Sequence, residues 1–281
     1  MKRSLDTAAI KEAVKNICID VNYRLSPDVS SAIEAAREAE QSSLGKSILS
    51  TLVENLSIAD AEDIPICQDT GMAVVFLDIG QEVSLEGAYL EDAVNEGVRE
   101  AYTEGYLRKS VVSDPIERKN SGDNTPAIIH TRIVPGDKVK VTCAPKGFGS
   151  ENMSRMFMLK PAQGIDGVKE AVLETVKAAG PNACPPFVIG VGIGGDFEKA
   201  ALMAKQALTR KVGSHSDVAW AADLEEELLK EVNGLGIGPA GLGGSVTALA
   251  VNVNTYATHI AGLPVAVNMC CHVMRHGSVE I

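Results

Sequence analysis

An α+β fold, with a helical N-terminal segment followed by a mixed strand-and-helix region, is predicted by three features of the sequence. Apolar residues recur at helical spacing through the first sixty positions. From residue 73 onward short apolar strand patterns mix with further helices. No repeat, low-complexity tract or linker interrupts the chain, so a boundary near residue 64 separates subdomains rather than independent units: 1–64 helical and 65–281 mixed α/β.

The elements follow in order. Ile10, Val14, Ile17 and Val21 fall on one helical face. Ser26-Pro27 reads as an N-cap with proline at the first helical position, and Ile48, Leu49, Leu52, Val53 and Leu56 form a stripe on a later helix. Ala73 to Leu77 reads as a strand, and Leu90, Val94 and Val98 mark a helix. Ile128 to Val134 and Lys138 to Cys143 read as a hairpin closed around Pro135-Gly136-Asp137. Helices fit Ile165 to Ala179, Phe197 to Thr209 and Val218 to Val232; strands fit Phe187 to Val191, Thr247 to Val253 and Pro264 to Met269.

Composition narrows the function classes. At 281 residues and 45% hydrophobic, the chain can bury a sizeable core. Twenty-six Lys plus Arg against 37 Asp plus Glu give a net charge of −11 without a basic run, which makes nucleic acid and anionic membranes poor partners. An anionic substrate therefore requires locally concentrated positive charge. No charged-then-apolar leader opens the sequence and no uninterrupted apolar run approaches about 18 residues, so the expected compartment is the cytoplasm, with no membrane span.

The six cysteines are too scattered for a disulfide framework, and none forms a Cys-x-x-Cys pair. Cys18 joins the helical stripe of Ile10 and Val14, and Cys143 alternates with Val139 and Val141; both read as core. Cys67 and Cys184 sit differently. Cys67 lies in Ile64-Pro65-Ile66-Cys67-Gln68-Asp69-Thr70-Gly71, where a thiol, an amide and a carboxylate stand side by side in a loop held out of regular structure by Pro65 and Gly71. Cys184 follows Gly180-Pro181-Asn182 and precedes Pro185-Pro186, a second loop cysteine placed just before a strand.

Two glycine-rich segments invite a nucleotide reading. Gly190-Val-Gly192-Ile-Gly-Gly195 follows an apolar strand and precedes a helix, as a dinucleotide fingerprint would, but no second strand ending in an acidic residue follows about twenty positions on. Gly236-x-Gly238-x-x-Gly241 lacks a strand directly before it. Gly45-Lys46-Ser47 resembles the end of a phosphate loop, yet Glu40 stands where the first glycine belongs. Close backbone packing and tight turns are the competing reading of these glycines.

Taken together, Ile66-Cys67-Gln68-Asp69-Thr70-Gly71, Lys146-Gly147-Phe148-Gly149-Ser150-Glu151-Asn152, Gly180 to Pro186, Gly190 to Asp196 and the ending around Cys271-His272 resemble the alpha part of class I fumarate hydratases, an iron-sulfur family that includes L-tartrate dehydratase. The match runs nearly the full length in the family's order, as a single alpha-type domain. The resemblance implies a 4Fe-4S cluster on Cys67, Cys184 and one of Cys270 or Cys271. The resemblance points to Cys271, because the family's cysteine tends to precede a small polar residue and an arginine a few positions later, as His272 and Arg275 do here.

A cluster with three protein ligands leaves one iron open as a Lewis acid toward the hydroxyl and a carboxylate of a 2-hydroxy dicarboxylic acid. The resemblance further implies proton handling by Asp69 and substrate contacts by Gln68, Arg108, His259 and the run Gly147 to Gly149, with Gly149 as the contact; Phe148 stands where the family more often has glycine. Arg108 can pair with a carboxylate bidentately, and the glycine run can offer backbone N–H groups. Single-chain members of the family continue with a second domain, whereas this sequence ends at Ile281. The expectation is accordingly an alpha subunit that hydrates fumarate to L-malate together with a separate beta subunit, in a pair of such units. The alternatives are a tartrate dehydratase alpha subunit and, from another class, a dinucleotide-binding subunit built on Gly190 to Gly195.

Overall fold

Asp6 starts the first helix: its carboxylate accepts the Ala8 N–H at 2.8 Å and so satisfies one of the donors that open a helix. From there Ile10, Val14, Cys18 and Val21 fall on one buried stripe. The computed structural model describes residues 2–281. Its first elements are β1 Arg3–Asp6, α1 Thr7–Tyr23, α2 Pro27–Ala39, α3 Ser43–Glu62, β2 Val74–Gly80, β3 Val83–Glu86 and α4 Leu90–Glu104. They are followed by β4 Ile128–Val134, β5 Val139–Cys143, α5 Phe148–Glu151, β6 Arg155–Leu159, α6 Gly164–Ala179 and β7 Phe187–Gly195. The remainder are α7 Phe197–Ala207, α8 Ala219–Gly234, β8 Ala248–Thr258, β9 Leu263–Cys270 and β10 Gly277–Glu280. This is the α+β class that the sequence predicts. No helix among the described residues is long and apolar enough to cross a membrane.

The elements gather into two compact units, each discontinuous in sequence. The first comprises Met1–Ser26, Leu56–Phe148 and Arg275–Ile281; the second comprises Pro27–Asn55 and Gly149–Met274. The N-terminal helices are thus shared out, α1 to the first unit, α2 to the second and α3 to both. Grouping by contact and order along the chain are different divisions of the molecule.

In the first unit a four-stranded sheet runs in the order β10-β5-β2-β4. The expected hairpin of β4 with β5 does not form, because β2 lies between them, parallel to β4 and antiparallel to β5. The reason is burial. Six of the seven residues of β2 are buried, as befits a central strand, whereas β4 is largely exposed and takes the edge. The predicted turn wraps the end of β2 instead: Gly80 N–H donates to Lys138 O at 2.8 Å and Gln81 N–H to Val134 O at 2.8 Å. Val75, Leu77, Val139, Val141 and Cys143 pack with Val94, Val98 and Tyr102 of α4 and with Val14 and Cys18 of α1 in one core. Cys18 and Cys143 are core residues, as predicted. The hydrogen bond that the Cys143 thiol makes to Cys18, together with burial, pushes this thiol well above its usual range.

Four short strands are not marked in the sequence. β1 pairs in parallel with β3, and β10 pairs with β5, partners far away along the chain that no local pattern announces. β6 pairs with β9 in the second unit, whose sheet runs β6-β9-β7-β8. There β7 is central, parallel to β8 and antiparallel to β9. Ile189, Val191 and Ile193 face the core built with α6 and α8.

The alternate positions of β7 are glycines, which corrects the nucleotide reading. Gly190 and Gly192 lie inside the strand rather than in a phosphate-binding turn, and a Cβ on either would stand 2.1 Å from the Ala204 or the Ala200 carbonyl oxygen of α7. The glycines are there so that α7 can lie directly on the strand backbone. Gly45-Lys46-Ser47 is likewise no phosphate loop. The buried Glu40 carboxylate takes the local amides itself, accepting N–H bonds from Gln41, Ser42, Ser245 and Val246, each at 2.8 Å. Burial would raise this carboxyl, but the bonds from Ser245, Ser42 and Val246 outweigh it and hold the group below its ordinary range.

Gly192→Ala is expected to destabilise the protein by about 1–3 kcal/mol, the usual range for overpacking, since strand or helix backbone must move. A melting temperature unchanged in calorimetry would show that α7 does not depend on the bare strand.

Candidate active site in the Cys67 and Cys184 loops

Pro65 and Gly71 hold the first loop. Ile66 is buried and donates its N–H to Asn22 O at 2.9 Å, and after it Cys67 is half-buried while Gln68 is exposed. Gly71, at φ 75°, lies against Lys146, whose backbone atoms would be 2.7–2.8 Å from any Cβ, so only glycine fits here. That approach is fixed by a two-bond bridge, Met72 N–H to Lys146 O at 3.1 Å and Lys146 N–H to Met72 O at 2.9 Å.

Asp69 is the hub of this loop. Its Oδ1 accepts the Gly71 N–H at 3.1 Å and its Oδ2 accepts the Phe148 N–H at 3.0 Å. One amide of the glycine run is therefore already taken by the chain's own carboxylate. Gly147 has to be bare for this, since a Cβ there would sit 2.9 Å from Asp69 Oδ2. Gly149, by contrast, opens onto space, its nearest neighbour at 3.7 Å being the Asn182 carbonyl oxygen.

Positive charge collects beside this loop in spite of the acidic chain. Arg108 is exposed on the segment after α4, and Thr70 Oγ1 donates to its carbonyl oxygen at 3.0 Å. Two buried cations were not singled out as site residues in the sequence. Lys146 donates from Nζ to Gly147 O at 3.0 Å, and Arg275 donates from Nη1 to Asn22 Oδ1 at 2.7 Å. Arg275 Nη2 lies 3.8 Å from where a Cβ on Gly147 would stand, a point that Asp69 Oδ2 approaches to 2.9 Å. The only signals for these two were the lysine that opens the glycine motif and an arginine noted as a marker for Cys271.

The second unit carries the other loop cysteines. Cys184 is exposed and left-handed at φ 53° and ψ 67°, a conformation that a non-glycine residue keeps only where its surroundings hold it. Its N–H donates to Pro181 O at 3.1 Å, and its carbonyl accepts both the His272 N–H at 3.4 Å and His272 Nδ1 at 3.1 Å. Cys184 and the Cys271-His272 segment are thereby neighbours. Cys270 is the buried last residue of β9, whereas Cys271 is the first residue beyond the strand and is half-buried. His259 is exposed and its Nδ1 accepts the Ala261 N–H at 3.2 Å, which leaves the proton of the neutral ring on Nε2.

The strand register separates His259 from the cysteine pair. Val188 pairs with Cys270 at one end of β7, and Gly195 pairs with Thr258 at the other, so about seven residues at about 3.3 Å each, roughly 23 Å, lie between these ends. The structure thus brings Cys184 and Cys271 together in one unit and gathers Cys67, Gln68 and Asp69 with Arg108 in the other, while His259 stands apart from the cysteine pair.

Among the described residues no three His, Cys, Asp or Glu side chains are grouped to hold a metal ion. The loop cysteines offer soft sulfur donors, a donor set suited to an iron-sulfur cluster, whose thiolates bind different irons, rather than to a hard dication.

Likeness to known proteins gives the enzyme class. A family model described as Fumarate hydratase (Fumerase) matches residues 11–280, and the chain belongs to this family of iron-sulfur hydro-lyases. Among its relatives, a Methanocaldococcus jannaschii protein provisionally named L(+)-tartrate dehydratase subunit alpha is 41% identical over 278 residues, covering 97% of each chain. The L(+)-tartrate dehydratase alpha subunits of Escherichia coli K12 and Shigella sonnei are each 33% identical over 275 residues, covering 97% of this chain and 90% of theirs.

The segment bearing Arg108 returns to α4 through Asp123, which accepts Arg99 Nε at 2.8 Å, Thr125 N–H at 3.0 Å and Thr125 Oγ1 at 2.7 Å. Burial opposes ionisation, yet the Arg99 guanidinium and Thr125 bring this carboxyl from 3.8 down to about 2. A depressed carboxyl stabilises the fold above its unfolded value and ceases to do so as pH falls through its folded value. Asp123→Asn is therefore expected to be less stable than the native protein at about pH 6, with the gap closing toward about pH 2. Urea unfolding at a series of pH values checks this; a gap constant across that range would mean that Asp123 carries no such linkage.

Proposed function

We propose that this chain is the alpha subunit of an iron-sulfur hydro-lyase that hydrates fumarate reversibly to L-malate in the cytoplasm, completed by a beta subunit in a pair of such units. The observation that carries the reading is the Asp69 loop, where a carboxylate fixed by two backbone N–H groups stands next to a half-buried thiol, within the family match. Cys67, Cys184 and Cys271 are the three residues proposed to hold a 4Fe-4S cluster. The strained backbone of Cys184, its bond to His272 and the position of Cys271 just outside β9 support that set, and the burial of Cys270, Cys18 and Cys143 argues against the other three. When bound, the cluster supplies an open iron as a Lewis acid toward hydroxyl and carboxylate, without redox change.

The chain's own residues then divide the remaining work. Hydration adds a proton to one alkene carbon and hydroxide to the other, and dehydration removes them again. Asp69 is the proposed proton-handling group, since both its oxygens are oriented before substrate arrives. The exposed Gln68 amide and Arg108 guanidinium are free of the core and able to meet a carboxylate, the latter bidentately. Gly149 lets a substrate come close to the backbone because nothing fills its Cβ space. His259 is proposed as a further substrate contact; its own strand holds it at the far end from the cysteine pair.

A second reading, tartrate dehydration to oxaloacetate, is favoured by the names of the relatives, which are L(+)-tartrate dehydratase alpha subunits. L-Malate and tartrate, the two hydroxy acids, differ by one hydroxyl. The beta partner is proposed from the same names.

Two measurements test the proposal on the anaerobically co-purified complex. Iron and sulfide content should collapse in Cys67→Ala, Cys184→Ala and Cys271→Ala and persist in Cys18→Ala and Cys143→Ala; full occupancy in Cys184→Ala would overturn the ligand set. Asp69→Asn should keep the cluster and lose about 10²- to 10⁴-fold in kcat, the usual cost of a missing general acid or base. Turnover of fumarate and L-tartrate, followed separately, decides between the two substrates.

A further inference from the structure

The residue between Asp69 and Gly71 has a side chain that none of the roles above uses. Thr70 is 2% exposed, and its hydroxyl donates to Arg108 O at 3.0 Å, joining the two loops that bear the proposed proton-handling and carboxylate-binding groups. Its own carbonyl accepts the Tyr102 hydroxyl at 2.7 Å, and the same hydroxyl lies 3.1 Å from Gly71 O. Tyr102 is 1% exposed, and burial pushes its phenol well above the usual range, so it remains a donor at any working pH.

Asn124 closes the frame from the other side. It is fully buried and left-handed at φ 64°; its Nδ2 donates to Gly71 O at 3.1 Å, and its Oδ1 accepts the N–H groups of Ser110 at 2.7 Å and Val111 at 3.1 Å. Every polar atom of the Asn124 side-chain carboxamide is thus aimed at one loop or the other. Together these groups connect residues 70–71 to residues 108–111 by side chains that are all withdrawn from water, where a hydrogen bond is costly to break. Arg108 itself is exposed, and among the described residues its side chain makes no hydrogen bond.

We propose that Thr70 is a positioning residue: its hydroxyl fixes the separation of Arg108 from Asp69, with Tyr102 and Asn124 holding Thr70 rigid, so that a dicarboxylate is gripped at a set distance from the proton-handling group. The inference deepens the reading of Asp69 and Arg108 given above and rests on it.

The test is steady-state kinetics of the co-purified complex with fumarate and with L-tartrate. Thr70→Val keeps the shape and deletes the hydroxyl; KM should rise roughly 5- to 20-fold, the range for one lost buried hydrogen bond, with kcat changed less than about threefold. Thr70→Ser restores the donor and should recover most of that loss. Tyr102→Phe loosens the Thr70 and Gly71 carbonyls instead, which flank Asp69, so kcat should fall more than KM rises. A purely structural role would lower the melting temperature of all three variants while leaving KM and kcat in place, and that outcome overturns the proposal. Arg108→Gln separates the two levels. If it raises KM and Thr70→Val does not, the positioning role alone falls; if Arg108→Gln leaves KM untouched, the reading of Arg108 falls and the positioning role with it.

Discussion

The first unit depends on one carboxylate held by two peptide groups. Asp69 bonds the Gly71 N–H behind it and the Phe148 N–H across from it, and this is possible only because Gly71 can press against Lys146 and Gly147 carries no Cβ. The loop is therefore specified by what is missing from two glycines as much as by the acid itself. An aspartate in a mobile loop would spend most of its time in other rotamers; here both oxygens are occupied before any ligand binds, and orientation costs nothing at the moment of use.

Charge follows the same plan. The chain carries a net −11, yet Arg108, Lys146 and Arg275 all lie along the segments that surround Asp69. Two of the three are buried and hydrogen-bonded, which gives a fixed positive field rather than a flexible one. For an anionic substrate a fixed field in a partly dry place is worth more than the same charges at the surface.

Much of this was legible in the sequence where the signal is local. Helical stripes gave α1, α4, α6, α7 and α8, and alternation put Cys143 in a buried strand beside Val139 and Val141. The hairpin of β4 and β5 was misread because strand order is a long-range property: only the burial of β2 on both faces decides that it is the central strand. The glycines of β7 have the spacing of a phosphate-binding turn, and what distinguishes them is the contact of the α7 carbonyls, which no window of sequence contains. Tyr102 and Asn124 gave no signal either. Tyr102 sits on a helix face that reads as core, and Asn124 reads as one more turn residue before Thr125-Pro126, although both bond the Cys67 loop.

The path of the chain through its two units has a consequence for how the protein is made. Arg275–Ile281 belong to the first unit: β10 completes the edge of its sheet on β5, and Arg275 reaches back to Asn22. Residues 149–274 of the second unit come between. During synthesis the first unit is left with an open sheet edge while nearly half of the chain is still to be translated, and an open edge is a template for pairing with other chains. Its maturation is tied to residues 275–281, which follow the whole of the second unit, so a stop before them that spared every cysteine would still leave a half-finished sheet.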